Sequence, residues 1–162
     1  RQQSPLSLNA TENTPHIIKM ASGVAVNDEC VTEYNNLKLQ KKVRCIFFRM
    51  SDSAKEIIVD SQYDRSDDRA ADYEKFIGTL PRDDCRYVVF DFEFDTDGGL
   101  RNKILFINWA PETSKIKSKM LYAASKDAFK KKLVGLSIEV QATDLSEVAY
   151  QEVLDKCLAL AR

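Results

Sequence analysis

Residue types that catalyse reactions are sparse in this chain of 162 residues, and their spacing matches no catalytic motif. The only histidine, His16, lies in a polar N-terminal stretch. A histidine general base, a Ser-His-Asp triad and a histidine-ligated metal are therefore not expected. The five glycines also form no phosphate-binding loop. We predict that the protein is not an enzyme and uses no catalytic residue, cofactor or metal.

Cysteine chemistry receives little support from the sequence either. The cysteines form no Cys-x-x-Cys pair and have no nearby histidine, so neither a zinc site nor a redox motif is predicted. A thiol-dependent enzyme is one alternative, but it would lack an activating base. We expect reduced, mostly buried side chains at all four positions, Cys30, Cys45, Cys85 and Cys157.

Three acids alternate with phenylalanines along one predicted strand, residues 86–95. Carboxylates at this spacing could bind a hard cation such as Ca²⁺. The same alternation is typical of a strand that has one face in water. We interpret the face that carries Asp91, Glu93 and Asp95 as solvated.

Charge is segregated along the chain, although the formal net charge is only -1. Residues 115–132 contain seven lysines against one acid, whereas residues 83–97 contain six acids against one arginine. The near-neutral total argues against a general nucleic-acid binder. The spacing of Lys115, Lys119 and the apolar Met120 suits docking on an acidic protein surface. Anionic lipid head groups are a second candidate partner.

Hydrophobic periodicity and turn residues predict a mixture of helices and strands. The fold class is α/β, of the α+β type, with a central mixed sheet of five to six strands between four to five helices. The expected elements are a helix after Asn27, strands at 43–50 and 56–61, a short helix at 73–80, strands at 86–95 and 102–109, a long helix at 113–133 with a break at Ser125, a strand at 137–141 and a last helix that begins near Asp144.

The chain length fits one domain preceded by a short tail. Residues 1–20 are rich in small polar residues and lack an amphipathic period, so we predict a disordered extension there. Arg1 and the downstream Met20 indicate an upstream extension or a non-native addition, with Met20 as a candidate natural start. No apolar run is long enough to span a membrane. We expect residues 21–162 to fold as one cytoplasmic, monomeric domain.

An ordered series of strings resembles the actin-depolymerising factor/cofilin family, from residue 21 to about residue 162. Several collinear strings are far more specific than any single one. They are Ser22-Gly23-Val24-Ala25-Val26, Leu80-Pro81 with Asp84-Cys85-Arg86-Tyr87, Asp91-Phe92-Glu93-Phe94, Trp109-Ala110-Pro111, Lys117-Ser118-Lys119-Met120 with Tyr122 and Ser125-Lys126-Asp127, and Gln141-Ala142-Thr143-Asp144.

The resemblance implies an actin-depolymerising-factor homology (cofilin-like) fold and a binding function. Family members bind actin monomers and filaments, preferably with ADP bound, and they sever and depolymerise filaments. The implied location is the cytoplasm and its actin cytoskeleton, with the nucleus as an alternative. Two other functions of the same fold stay open, a filament side-binder that does not sever and a phosphoinositide-binding module.

Carried over position by position, the resemblance also implies the binding residues. Phosphorylation at Ser22 would place close to two negative charges against an acidic partner. Leu100 and Ala159 stand where a basic residue is common in the family, which lowers the charge available for filament binding. The implied contacts are Ser22, Gly23, Lys117, Lys119, Met120 and Asp144 for actin monomers and filaments, Arg101, Lys103, Asp155 and Lys156 for filaments, and Lys117, Lys119, Lys126 and Lys130 for phosphoinositide head groups.

Overall fold

A computed structural model describes residues 22–161, so the predicted extension over residues 1–20 and the start at Met20 lie outside the described residues. Within them, a mixed sheet lies between helices on both faces. In chain order the elements are β1 (Ala25–Val26), α1 (Asp28–Gln40), β2 (Val43–Met50), β3 (Glu56–Asp64), α2 (Arg69–Thr79), β4 (Arg86–Thr96), β5 (Gly99–Trp109), α3 (Ile116–Lys132), β6 (Ile138–Ala142), a 3-10 helix (Leu145–Val148) and α4 (Tyr150–Ala161).

The six strands follow the order β1-β3-β2-β4-β5-β6, which confirms the predicted fold class. The pairs β3–β2, β2–β4 and β4–β5 are antiparallel, whereas β1–β3 and β5–β6 are parallel. The parallel pair β5–β6 requires a crossover, and α3 provides it. This connection places α3 against one face of the sheet.

Two hydrophobic cores lie on the two faces of the sheet. The α1–α3 core includes Tyr34 of α1 and Phe129 of α3, and the α2–α4 core includes Phe76 of α2 and Val153 of α4. The alternation predicted for β4 is confirmed, because all four of its predicted apolar side chains enter the α2–α4 core. They are Val88, Phe90, Phe92 and Phe94.

Helix α2 begins four residues before the predicted position. Asp68 caps its N-terminus, and the carboxylate accepts a hydrogen bond of 3.0 Å from the backbone N–H of Ala71. A side-chain acceptor at this position satisfies one of the backbone donors that a helix start leaves free. Residues 69–72, which were expected in a charged loop, therefore form the first turn of the helix.

The predicted break in α3 at Ser125 is wrong, because α3 is one continuous helix from Ile116 to Lys132. A break is expected only if Ile116 and Met120 are core residues, because their helix face differs from that of Phe129. Their exposed fractions are 71% and 67%, so neither residue belongs to the buried stripe. That stripe consists of Tyr122, Ser125 and Phe129, with Ser125 fully buried.

The hairpin of β4 and β5 extends beyond the rest of the sheet. Its two strands are paired from Arg86–Trp109 to Thr96–Gly99, but β4 pairs with β2 only over residues 87–90. Strand β6 pairs with β5 only from Leu105 onward. Residues 91–104 therefore form a projecting hairpin without a neighbouring strand on either side.

All four cysteines are free and buried, as expected. Burial raises the pKa of Cys30 to about 12 and that of Cys157 to about 11, and it also raises the pKa of Cys45 and Cys85. Thiols with such pKa values stay protonated at neutral pH. Within residues 22–161, no helix is both long enough and apolar enough to cross a bilayer.

Candidate functional site

The N-terminal half of α3 presents an apolar pair among lysines. Ile116 and Met120 are both largely exposed, and their i,i+4 spacing places them side by side on the helix surface. Lys117 is exposed next to them in the sequence. Large apolar side chains surrounded by charges on an exposed helix are typical of an interaction surface. The structure therefore places Met120 at the surface and not in the core.

The lysines of this half of α3 are available to a partner. Lys119 is half-buried, and its Nζ donates a hydrogen bond of 3.1 Å to the backbone carbonyl of Glu112. No ion pair within residues 22–161 involves Lys115, Lys117 or Lys119. Their positive charges are consequently not neutralised by acids of the described chain.

Asp144 lies in the loop between β6 and the 3-10 helix. Its carboxylate accepts a hydrogen bond of 2.9 Å from the backbone N–H of Ser146 and another from the Ser146 hydroxyl. The bond from that hydroxyl lowers the pKa of Asp144. Asp144 also lines a cleft of about 520 Å³ together with Glu112, whose carbonyl holds Lys119. The fold thus connects Asp144 to the start of α3.

The N-terminal segment lies against α3 further along the helix. The hydroxyl of Ser22 is 2.8 Å from that of the buried Ser125, a hydrogen-bond distance. Gly23 follows with a φ of 83°, in the left-handed region that favours glycine. Helix α3 therefore carries Lys117, Lys119 and Met120 and contacts Ser22. Gly23 follows Ser22 in the chain, and Asp144 lines the same cleft as Glu112, whose carbonyl binds Lys119. We call Ser22, Gly23, Lys117, Lys119, Met120 and Asp144 the α3 surface.

A second group of implied residues lies where the projecting hairpin approaches α4. Arg101 on the hairpin is exposed and Lys103 is half-buried. The tip of the hairpin and the last turns of α4, at Leu158 and Ala161, line a cleft of about 610 Å³. Asp155 and Lys156 are exposed on α4. We call Arg101, Lys103, Asp155 and Lys156 the hairpin–α4 surface.

The positions that depart from the family pattern are exposed near this second surface. Leu100, with an exposed fraction of 60%, adjoins Arg101 on the hairpin. Ala159 is exposed on α4. Both side chains are uncharged, and their effect on filament binding stays a prediction.

The predicted solvated face of β4 is wrong for Asp91, which is buried, and for Glu93, which is half-buried, but it is correct for Asp95, which is exposed. Asp91 is 1% exposed, and its carboxylate accepts a bond of 2.5 Å from Arg65. Glu93 accepts bonds of 2.7 Å from Arg44 and 2.8 Å from Arg65. All three acids pair with arginines, because Asp95 also pairs with Arg69 at 2.9 Å.

Arg44 is at the centre of this arrangement and is itself 1% exposed. Its guanidinium also donates to the carboxylate of Asp72 at 2.9 Å and to the backbone carbonyl of Asp91 at 3.0 Å. Arg44 falls at a shift of register in the β2–β3 pairing. We call Arg44, Arg65, Asp72, Asp91 and Glu93 the ion-pair cluster.

The cluster lowers the pKa values of two of its carboxylates, those of Glu93 and Asp72. Burial alone would raise the pKa of Glu93, but the hydrogen bond from Arg44 and the charge of Arg65 outweigh it and lower the pKa. Burial also opposes the lowering at Asp72, where bonds from Ser66 and Arg44 prevail. Within residues 22–161, no group of three or more histidines, cysteines or acids could hold a metal ion. The positive charges that face these carboxylates are therefore the guanidinium groups of Arg44 and Arg65.

The four lysines implied for phosphoinositide binding fall into two pairs. Lys117 and Lys119 belong to the α3 surface, whereas Lys126 and Lys130 both contact Glu139 of β6. Lys126 lies 2.6 Å from the Glu139 carboxylate. Burial opposes a lower pKa at Glu139, but the hydrogen bonds from the two lysines outweigh it. Glu139 therefore occupies the position next to Lys126 and Lys130 that an anionic ligand would take.

A family model described as cofilin/tropomyosin-type actin-binding protein matches residues 23–158. The chain is 47% identical to a cofilin of Schizosaccharomyces pombe over 135 residues, which cover 83% of this chain and 95% of the relative. It is 48% identical to actophorin of Acanthamoeba castellanii, with the same coverage of each chain.

Solved structures agree with this match. The crystal structure of a cofilin from Streptomyces griseoflavus superposes with a TM-score of 0.75 at 45% identity and covers 83% of this chain and 96% of that one. The chain belongs to the cofilin/actin-depolymerising factor family. The family resemblance and the fold predicted from the sequence are thereby confirmed.

Proposed function

We propose that this protein binds actin monomers and filaments, severs and depolymerises ADP filaments, and so promotes actin turnover. Its family is one of actin-binding proteins, and relatives at similar identity are named cofilin, actophorin and actin-depolymerizing factor. The observation that carries the proposal is the α3 surface, where unpaired lysines flank an exposed apolar pair. The role is binding, and no bond of actin is broken.

The α3 surface would supply contact with one actin subunit. Lys117 and Lys119 would attract carboxylates of actin and orient the encounter, since unpaired surface charges act over roughly 10 Å at moderate salt. Met120 would then enter an apolar depression and supply a large share of the binding energy. Charge steering and apolar burial are thus carried by adjacent residues of one helix.

The hairpin–α4 surface would contact a second subunit along the filament. Its residues belong to elements separate from α3, so both surfaces can be engaged together. A protein that binds two subunits in one preferred geometry stabilises the filament conformation that offers this geometry. Strain at the boundary between occupied and bare filament is then the physical route to severing.

Phosphorylation of Ser22 would switch the α3 surface off. The Ser22 hydroxyl is occupied by its hydrogen bond with Ser125, and a phosphate could not keep that geometry against a fully buried partner. It would also add close to two negative charges beside a surface that we expect to meet an acidic partner. We propose both effects together as the basis of regulation.

Phosphoinositide head groups are a second ligand that we propose for the lysines of α3. Lys117 and Lys119 are available for it, whereas Lys126 and Lys130 would first have to leave Glu139. Binding there would compete with actin for the first pair. We propose the cytoplasmic actin cytoskeleton as the site of action, with nuclear entry as an additional location and the monomer as the working form.

The test is co-sedimentation of the full chain with ADP-actin filaments, in parallel with binding to labelled ADP-actin monomers. The wild type should pellet with filaments and release actin into the supernatant. The variant Lys117→Ala/Lys119→Ala should bind monomers and filaments at least about tenfold more weakly at low salt, with a smaller difference at high salt. Filament length under the microscope distinguishes severing from side-binding.

The matched control is Lys131→Ala/Lys132→Ala, which removes the same charge from the other end of α3. Its affinity should remain within about twofold of the wild type, because these lysines lie outside the α3 surface. Equal losses in both variants would assign the effect to net charge alone. Absence of binding by the wild type at every salt concentration would overturn the proposal and leave lipid as the leading partner.

A further inference from the structure

The projecting hairpin carries Arg101 and Lys103 and has no neighbouring strand over residues 91–104. A two-stranded ribbon alone is marginally stable in water. Its orientation relative to the domain must therefore come from side-chain contacts at its base and along its two faces.

One face of the hairpin is held by apolar contacts. Phe92 packs against Tyr150 of α4 and Tyr73 of α2, with ring centroids 5.4 Å and 5.7 Å apart. Phe94 is also buried in the α2–α4 core. Apolar burial favours contact but is not directional, so it fixes the presence of the hairpin more strongly than its tilt.

The opposite face is held by the ion-pair cluster. Arg65 donates in parallel to Asp91 and Glu93, and its Nε donates at 2.8 Å to the backbone carbonyl of Lys41. Asp91 in turn accepts a bond of 2.9 Å from Asn102, the residue between Arg101 and Lys103. A planar guanidinium that makes several bonds is strongly directional. Arg65 therefore connects β4 of the hairpin directly, and β5 through Asp91 and Asn102, to the corner that follows α1.

We propose that Arg65 is a positioning residue for filament binding, because it fixes the orientation of the hairpin that carries Arg101 and Lys103. This inference rests on the proposed function and extends it. Arg65 touches no partner itself. Its loss would free the hairpin to tilt, and the hairpin–α4 surface would then no longer present its charges in one arrangement.

The inference separates the two binding activities. The α3 surface belongs to a helix on the α1–α3 core, and none of its residues contacts the ion-pair cluster within residues 22–161. Loosening the hairpin should therefore weaken filament binding and spare monomer binding. A general loss of structure would weaken both.

Arg86 offers a closely matched control at the other end of β4. Like Arg65 it bridges two carboxylates, at 3.1 Å from Asp60 and 2.6 Å from Asp84. The exposed fractions of the two arginine side chains are 15% for Arg86 and 17% for Arg65. Arg86→Gln therefore removes a bridge to two acids from the opposite end of β4, although these acids are more exposed, at 30% and 52%, than the acids of Arg65, at 1% and 19%.

The experiment compares the wild type, Arg65→Gln and Arg86→Gln for affinity to ADP-actin monomers and to ADP-actin filaments. Arg65→Gln should bind filaments at least about fivefold more weakly while its monomer affinity stays within about twofold. Arg86→Gln should keep the ratio of the two affinities. Arg65→Lys, which retains the charge without the planar fork, should fall between and serves if Arg65→Gln does not fold.

Amide hydrogen exchange over residues 91–104 gives a readout that does not need actin. Exchange there should be faster in Arg65→Gln than in the wild type or in Arg86→Gln. Parallel losses of monomer and filament binding, or unchanged filament binding, would overturn the inference. If the wild type binds no actin, the proposed function fails, while unchanged exchange in Arg65→Gln would separately reject the positioning role.

Discussion

The α3 surface and the projecting hairpin differ in whether their charged side chains form ion pairs within the fold. On α3, Lys117 and Lys119 have no acidic partner within residues 22–161, and Met120 is exposed beside them. On the hairpin, every acid of the Asp91–Asp95 alternation is paired with an arginine. The sequence shows a run of like charge in both places.

The difference shows that the availability of a charge decides its role. A charge already paired inside the fold holds two elements together, and separating it from its partner has a high free-energy cost. An unpaired charge on an exposed helix has little effect on stability and is available for a partner. Stability should therefore depend on the hairpin charges, and partner binding on those of α3.

The largest expected effect is on stability, in the variant Arg44→Met. It would leave Asp72 and Glu93 short of a partner in a buried setting, and we expect the free energy of unfolding to fall by about 3 kcal/mol. Urea unfolding measures it. The control Arg49→Met removes exposed bridges to Asp52 and Asp60 and should cost less than about 1 kcal/mol. Similar losses of unfolding free energy in the two variants would contradict the inference that buried ion pairs matter more for stability than exposed ones.

Acid should produce a smaller, graded loss through the same cluster. Arg44 and its neighbours lower the pKa values of Asp72 and Glu93 in the folded protein. Their contribution to stability is thus complete above the ordinary pKa values, near pH 4, and is lost as the pH falls through the lowered values. Unfolding free energies measured from pH 5 to pH 3 should decline, with a shallower decline in Arg44→Met. An equal slope in both proteins would contradict the assignment.

Truncation of Met120 should affect binding without affecting stability. Met120→Ala should weaken actin binding by about 1–2 kcal/mol, because an exposed apolar side chain contributes only when a partner covers it. The free energy of unfolding should change by less than about 0.5 kcal/mol. Val134, which is 71% exposed beyond the end of α3, provides the control Val134→Ala with no expected loss of affinity. Thermal unfolding and a titration of labelled monomers decide between these outcomes.

The smallest expected effect concerns Glu139, which forms ion pairs with two lysines of α3. Glu139→Gln should release Lys126 and Lys130 and increase binding to phosphoinositide vesicles by up to about fivefold. Vesicle co-sedimentation at fixed salt provides the measurement. Glu152→Gln, which removes an exposed acid from α4, should increase binding much less. Identical behaviour of the two variants would indicate that only net charge matters.

Local patterns were sufficient to predict most elements of the fold. The strand alternation of β4 and the helix after Asn27 each depend on neighbouring residues, and the structure contains both. The start of α2 was missed because Asp68 was not recognised among several acids as the capping residue. The break in α3 was predicted because exposed and buried apolar residues look alike in a sequence.

The ion-pair cluster could not be predicted from the period of β4 alone. Its partners are distant in the chain, with a sequence separation of 49 for Arg44 and Glu93 and of 26 for Arg65 and Asp91. One signal was present, since Arg44 lies near the start of a strand whose only other charged residue is Arg49, and a buried arginine requires acids. The binding roles of the α3 surface came from family resemblance, and they stay predictions.

The buried cysteines make this protein convenient for site-specific labelling. Reagents such as maleimides react with thiolates, and four shielded, protonated thiols should react slowly in the native state. A single cysteine introduced at an exposed position such as Asp97, at the tip of the hairpin, would then carry a fluorophore without removal of the native cysteines. A second dye on actin would allow the distance between hairpin and filament to be followed in single molecules.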